Sequence, residues 1–239
     1  MTLAKEKLSF LRTRLVQVWK KLGEPLLAKT NICKICFKEF DCKSFHSLSK
    51  YRPTICEECF SKFNPIFKQF KFEGCSALAL YEYNEMFQQC LYQFKGCYDI
   101  ELSTIFLENF LDCINIKFKG YILVPAPSYI SHDETRGFNH VITIFKNLKM
   151  PIYTCFYKEK DMKQSDLSFN ERSMIKDIIK IKNAEFLKGK KVLLIDDVFT
   201  SGSTIRTMIN LLKPIKAKKI SVLVLSKTNQ PKHKNYCKF

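Results

Sequence analysis

The run from Val192 to Thr204, Val-Leu-Leu-Ile-Asp-Asp-Val-Phe-Thr-Ser-Gly-Ser-Thr, constrains this chain more than any other segment. Four apolar residues read as a buried parallel strand. Two adjacent carboxylates, Asp196 and Asp197, follow at its C-terminal end. A short loop of hydroxyls around one glycine comes next. It opens a helix with apolar residues at Ile205, Met208, Ile209 and Leu212. Open α/β sheets bind ligands just beyond the carboxyl ends of their strands. A small-residue loop at a helix N-terminus offers unpaired N–H groups and a positive dipole end to a phosphate. Paired carboxylates there can accept hydrogen bonds from vicinal sugar hydroxyls. The segment therefore predicts a sugar-phosphate site. An ordinary strand and turn, with Thr200 or Ser201 as helix N-cap, does not account for two carboxylates at the mouth of a sheet.

The rest of the pattern supports an open parallel sheet with helices on both faces. Strands are predicted over 75–81, 121–126, 151–157, 191–196 and 219–226. Helices are predicted over 84–95, 99–115, 138–148, 168–179 and 203–213. Such alternation is the pattern of an α/β domain. A chain of 239 residues with 46% apolar content can bury one sizeable α/β core beside a small module.

That small module is marked by Cys33-Lys-Ile-Cys36 and Cys56-Glu-Glu-Cys59, two C-x2-C knuckles nineteen residues apart. Each presents two thiolates from a tight turn, and two knuckles complete a tetrahedral shell for structural zinc. Four thiolates leave no open position, so this metal is not catalytic. Cys42 and His46 lie between the pairs as alternative ligands. The other cysteines read as small apolar residues of a reducing compartment. The domains so delineated are a helical extension over 1–29, a zinc-finger module over 30–72, an α/β domain over 73–229 and a tail over 230–239.

Residues 3–22 have the pattern of a basic amphipathic helix. It would pack on its own domain or lie on a membrane surface. No apolar stretch is long enough to span a bilayer, and the N-terminus lacks a signal-peptide pattern, which points to the cytoplasm, with the inner face of the membrane as a further location. The net charge of +17 favours an anionic partner: nucleic acid, a phosphorylated small molecule or an anionic membrane. Only six of the forty basic residues are arginine, which also fits the lysine inflation of an AT-rich genome. The stretch from Lys62 to Phe72 interleaves Phe63, Phe67, Phe70 and Phe72 with lysines. It reads either as a base-stacking segment or as a linker helix whose rings pack between modules.

The Val192–Thr204 run resembles the phosphoribosyl-diphosphate (PRPP) signature of type I phosphoribosyltransferases at every signature position. The resemblance implies that Asp196 and Asp197 hold the ribose hydroxyls. It also implies that Thr200, Ser201, Gly202, Ser203 and Thr204 cradle the 5′-phosphate. The helix ending in Lys95-Gly96, the strand end Leu123-Val-Pro-Ala-Pro127, the segment Arg136-Gly-Phe-Asn-His140, and Gln164, Leu167 and Glu171-Arg172 extend the likeness. With the four-cysteine module in front, residues 31–227 are similar to the ComF family of competence proteins. That family combines a zinc finger with a type I phosphoribosyltransferase-like domain and is linked to uptake of transforming DNA. The resemblance implies PRPP with Mg²⁺, single-stranded DNA, and DNA-uptake proteins such as the competence helicase as partners. Pro125 begins the implied pyrophosphate loop, and Arg136 is a candidate pyrophosphate clamp. Lys158, Lys160 or Lys163 could close over it, and His140, where the family has Gln, reads as a surface histidine or an acceptor contact. Three functions follow: a PRPP- and DNA-binding uptake factor, a phosphoribosyltransferase acting on an unknown nitrogen acceptor, or a PRPP-sensing regulator without turnover.

Overall fold

The computed structural model describes residues 31–40, 53–158 and 179–228. The expected helix over 3–22, Cys42, His46, Lys160, Lys163, most of the expected helix over 168–179 and the tail lie outside these residues.

The chain enters through a two-stranded knuckle, β1 (Asn31–Ile32) with β2 (Glu39–Phe40), followed by helix α1 (Glu57–Lys62). The basic-aromatic stretch is neither a helix nor a free segment. From Pro65 it becomes β3 (Pro65–Phe72), which folds back on β4 (Cys75–Glu82). Glu73 and Gly74 between them both have positive φ, the two-residue turn that matches strand twist. β3 falls on the finger side of the boundary read from the sequence, yet it hydrogen-bonds into the main sheet.

That sheet has the order β3-β4-β9-β8-β5, with β5 (Tyr121–Pro125), β8 (Lys191–Phe199) and β9 (Lys219–Lys227). β4, β9, β8 and β5 run parallel, and β3 is an antiparallel edge. Alternate residues of the parallel strands enter two cores. Leu78, Leu80, Leu193, Ile195, Leu223 and Leu225 face one, while Ala77, Ala79, Val192, Leu194, Val222 and Val224 face the other. Burial on both faces explains why these strands read as continuous apolar runs.

On the first face pack α2 (Glu85–Gly96), α3 (Leu111–Lys117) and α5 (His140–Phe145). On the second packs α6 (Ser203–Leu212). Asn84 caps α2 by accepting from the Phe87 N–H. The expected helix over 99–115 is broken into two 3₁₀ turns, Ile100–Thr104 and Glu108–Phe110, before α3. The expected strand over 151–157 touches the sheet only through a bridge from Ile152 to Leu123. Its end, β6 (Phe156–Lys158), pairs instead with β7 (Ile179–Ile181) in a separate antiparallel ribbon. A short helix absent from the sequence expectations, α4 (Ile130–Arg136), follows β5.

Candidate functional site

β8 does not stop at the carboxylates but carries them inside the strand, as far as Phe199. Side chains alternate along a strand. Asp197 therefore shares a side with Leu193 and Ile195, facing α2 and α5, and Asp196 takes the other side. The pleat alone gives two neighbouring acids different surroundings.

Asp197 is buried and compensated. Lys95 Nζ, from the end of α2, donates to Oδ2 at 2.9 Å, and His140 Nε2 lies 3.5 Å from the same oxygen. The Val198 N–H donates to Oδ1 at 2.7 Å. Burial works against its charge, but Lys95 and then His140 outweigh it and hold the carboxyl well below the usual range. Among the described residues, Asp196 accepts from the Asp197 N–H alone, at 2.9 Å. Burial first, then the charge of Asp197, pushes its carboxyl up to about 8. The pair is split into one fixed anion and one group that holds its proton near neutrality.

Arg136 builds the wall behind this pair. Its Nε donates to the Lys95 carbonyl at 2.9 Å, and Nη1 lies 3.1 Å from His140 Nδ1 and 3.3 Å from Asp133 Oδ1. An arginine has no acceptor, so Nδ1 must accept, which puts the ring proton on Nε2, facing Asp197. Two of the guanidinium nitrogens are thus committed to protein groups, and the side chain is only 11% exposed. His140 is no surface residue either: its side chain is 15% exposed. The rest of the Arg-Gly-Phe-Asn-His segment has equally local tasks. Gly137 ends α4 in the left-handed conformation that a helix C-terminus favours. Phe138 packs on Phe94, and the Asn139 side chain caps α5. Asn139 also donates to Asp133 and to Ser128.

In front of the acids lies a pocket of about 370 Å³. Its lining includes Lys95, Ala126–Tyr129, Arg136, His140, Lys158, Asp196, Asp197, Thr200 and Gly202–Thr204. Of the residues expected in the site, Pro125 and Ser201 are not in this wall: Pro125 ends β5, and Ser201 is exposed, its Oγ accepting from the Ser203 N–H at 3.4 Å. The N-cap of α6 is Gly202, in place of Thr200 or Ser201. Its φ is +73°, and a Cβ there would meet the rings of Phe72 and Phe199 at 2.5 Å each. Only glycine fits both demands. Ser203 and Thr204, both in the pocket lining, then start a helix whose first-turn N–H groups have no intrahelical acceptor.

The four cysteine Sγ atoms converge within 4.8 Å of one another. Cys36 and Cys56 are 3.8 Å apart, close to the edge of a tetrahedron with metal–sulfur arms of about 2.3 Å. Burial raises the thiols of Cys56 and Cys59, and neighbouring thiols raise Cys59 further. For Cys33, burial is outweighed by backbone N–H groups that bring it down to about 7. Four thiols crowded in this way fit a cation that would let them ionise together, so the cluster can hold a metal. It is built into the domain. Glu108 accepts from the Thr54 and Ile55 N–H groups at 2.9 and 3.2 Å, beside Cys56. Lys34 Nζ donates to the Glu101 carbonyl at 2.7 Å, and Cys33, Cys59 and Phe63 belong to the first core.

The sequence expectations missed Lys95 as the partner of Asp197, and Glu108 as the anchor of the knuckle. Lys95 was visible as the end of a helix, but only the tertiary fold brings it across 102 positions to Asp197.

The family model for the phosphoribosyl transferase domain matches residues 138–239. That match covers less than half of the chain and includes β8, the hydroxyl loop and α6, which carry much of the pocket. The chain's homologues include two curated proteins named Competence protein ComFC. That of Bacillus subtilis (strain 168) is 30% identical over 129 residues, covering 53% of each chain. That of Streptococcus pneumoniae (strain ATCC BAA-255 / R6) is 28% identical over 152 residues, covering 64% of this chain and 68% of the other. The match thus spans about half the length of the first relative and two thirds of the second. A hypoxanthine phosphoribosyltransferase from Staphylococcus aureus superposes with a TM-score of 0.37 at 15% identity, over 59% of this chain and 71% of that one. No helix among the described residues is long and apolar enough to cross a membrane.

Proposed function

We propose that this chain is a competence-associated, phosphoribosyltransferase-like protein whose pocket binds PRPP and which also binds single-stranded DNA. The observation that carries the reading is the convergence of Asp196, Asp197, Gly202–Thr204, Lys95 and Lys158 on one pocket. In this reading the first-turn N–H groups of α6 and the hydroxyls of Thr200, Ser203 and Thr204 take the 5′-phosphate. Asp196 and Asp197 accept from the ribose hydroxyls, and the Ala126–Tyr129 backbone receives the pyrophosphate. Lys158, over the Tyr129 ring at 4.6 Å, supplies charge on that side. Arg136 acts on the ligand through Asp197, by fixing His140 and the Lys95 carbonyl. The all-oxygen donors of PRPP and Asp196 suit Mg²⁺, which would neutralise part of the pyrophosphate charge when bound. The four cysteines take zinc, the metal whose tetrahedral thiolate shell their spacing fits.

The split acid pair favours a transferase as second reading, because carboxyls pushed apart in proton affinity are the equipment of acid–base work. In it a nitrogen nucleophile forms a bond to C1′ as the bond to pyrophosphate breaks, and pyrophosphate leaves.

The test is the melting temperature with PRPP and Mg²⁺. A concentration-dependent rise is expected in the unmutated protein and should be absent in Asp196→Asn/Asp197→Asn, each compared with its own unliganded form. No rise in the unmutated protein would overturn the pocket reading. Pyrophosphate release above spontaneous hydrolysis would add turnover.

A further inference from the structure

The stretch from Lys62 to Phe72 was the sequence candidate for stacking bases, but its rings are already engaged. Phe70 and Phe72 meet Phe199 edge-on at 5.3 and 4.8 Å, and Phe67 stacks on Phe110 at 5.7 Å. A different part of the molecule collects positive charge. β5, β8 and β9 begin at the same edge of the sheet, with Tyr121, Lys191 and Lys219 in register. Just before them, two lysine-rich turns interlock: the Gly189 N–H donates to the Lys216 carbonyl at 3.1 Å, and the Lys218 N–H to the Lys190 carbonyl at 2.8 Å. Lys188, Lys190, Lys216, Lys218 and Lys219 are exposed, and Lys191 is half-buried with its ammonium 5.7 Å from the Tyr121 ring centre. Lys117 and Lys119, also exposed, extend the face toward β5. No acid occurs from Phe186 to Ile195 or from Asn210 to Thr228. Phe186, 55% exposed, leans on Tyr153 at 4.9 Å with Lys190 6.0 Å from its centre.

We propose that this lysine edge, at the N-terminal ends of the strands, is the face that binds single-stranded nucleic acid. The proposal rests on the DNA-binding reading above and gives it a location. Interlocked lysines neutralise successive phosphates, and Phe186, beside Lys190, offers a ring on which any base can stack. The face lies across the sheet from the pocket. From Lys191 to Asp197 is six steps along β8, about 20 Å at a strand's rise per residue. PRPP and a DNA strand therefore occupy opposite ends of the same strands and do not compete.

The experiment measures affinity of the full chain for a labelled oligothymidylate as salt rises from about 50 to 200 mM. In Lys188→Gln/Lys190→Gln/Lys216→Gln/Lys218→Gln the slope of log affinity against log salt should shrink by roughly three, the value for four lost single-strand phosphate contacts. Lys38→Gln/Lys62→Gln/Lys68→Gln/Lys71→Gln removes the same charge from the finger and β3 and should change the slope by less than half as much. Both variants should keep the PRPP-induced melting shift, which also shows that they fold. Saturating PRPP should leave oligothymidylate affinity unchanged. An unaltered slope in the first variant, an equal loss in the second, or competition by PRPP would each overturn the proposed face while leaving the DNA reading intact. So would loss of binding to phosphatidylserine vesicles alone, with DNA binding kept. No oligothymidylate binding by the unmutated protein would overturn both, and would leave the PRPP pocket to its own test.

Discussion

The four-cysteine cluster and the acid pair both gather groups that repel one another when ionised, and the protein handles them in opposite ways. Among the described residues, no lysine or arginine is hydrogen-bonded to the thiols, which share their burial with the domain core through Cys33, Cys59 and Phe63. A bound cation would supply their compensation. The carboxylates carry theirs in the chain: Lys95 and His140 on Asp197, and a retained proton on Asp196. A cluster that takes its balancing charge from outside is expected to act as a structural element, with folding coupled to the bound cation. A cluster balanced from within can stay open at one side and exchange its partner for a ligand.

Removing the outside charge should therefore have the largest effect. Because Glu108 and Lys34 tie the knuckle to the domain, chelation or Cys59→Ser should not release a separate small unit. The expected result is a fall of several kcal/mol in stability that appears as one lowered unfolding transition for the whole domain. A chain that lost metal but kept its melting temperature, or showed two separate transitions, would break the comparison.

The internal compensation should be worth less but be readable as a coupling. Lys95→Met leaves the Asp197 carboxylate buried beside His140 alone. Unpairing a buried charge costs about 3–5 kcal/mol, and the 37% exposure of the Lys95 side chain brings the expected loss to about 1–3 kcal/mol. In the Asp197→Asn background the same substitution should cost much less, and a double-mutant cycle by denaturant unfolding measures the difference. Additive losses would mean that Lys95 contributes packing and not charge.

How much of this was legible in the sequence depends on how local each feature is. The parallel strands announced themselves as apolar runs, and the hydroxyl loop and cysteine knuckles as short motifs whose chemistry is set by adjacent residues. Features made by distant residues were not legible. β3 was obscured because an edge strand with one solvated side reads as a mixed basic-aromatic stretch. The protein partners of Arg136 are not legible for a related reason: the Lys95 carbonyl lies 41 positions away, and only the tertiary structure brings it to the guanidinium, which also lines the pocket. The alternation of Asp196 and Asp197 across the sheet was implicit in the strand period. It carries information in the tertiary structure, where Lys95 pairs with Asp197 and not with Asp196.

Asp196 gives the expected effect with the sharpest sign. Its carboxyl is pushed up to about 8 in the folded protein from an ordinary 3.8. As pH rises from about 4, the unfolded chain loses this proton and the folded chain keeps it. The group therefore costs stability progressively up to about pH 8, and the cost levels off beyond. Asp196→Asn keeps the shape and removes the titration. It should leave the melting temperature nearly unchanged near pH 4 and raise it near pH 8.5, while abolishing the PRPP-induced rise. Asp197→Asn should do the reverse. Its carboxyl is held low by Lys95 and His140 against burial, so the substitution removes stability present above the ordinary carboxylate range. Melting curves of the two variants across this pH window should diverge in opposite directions from the unmutated protein. Parallel curves would mean that the two acids share one environment and that the pleat does not separate them.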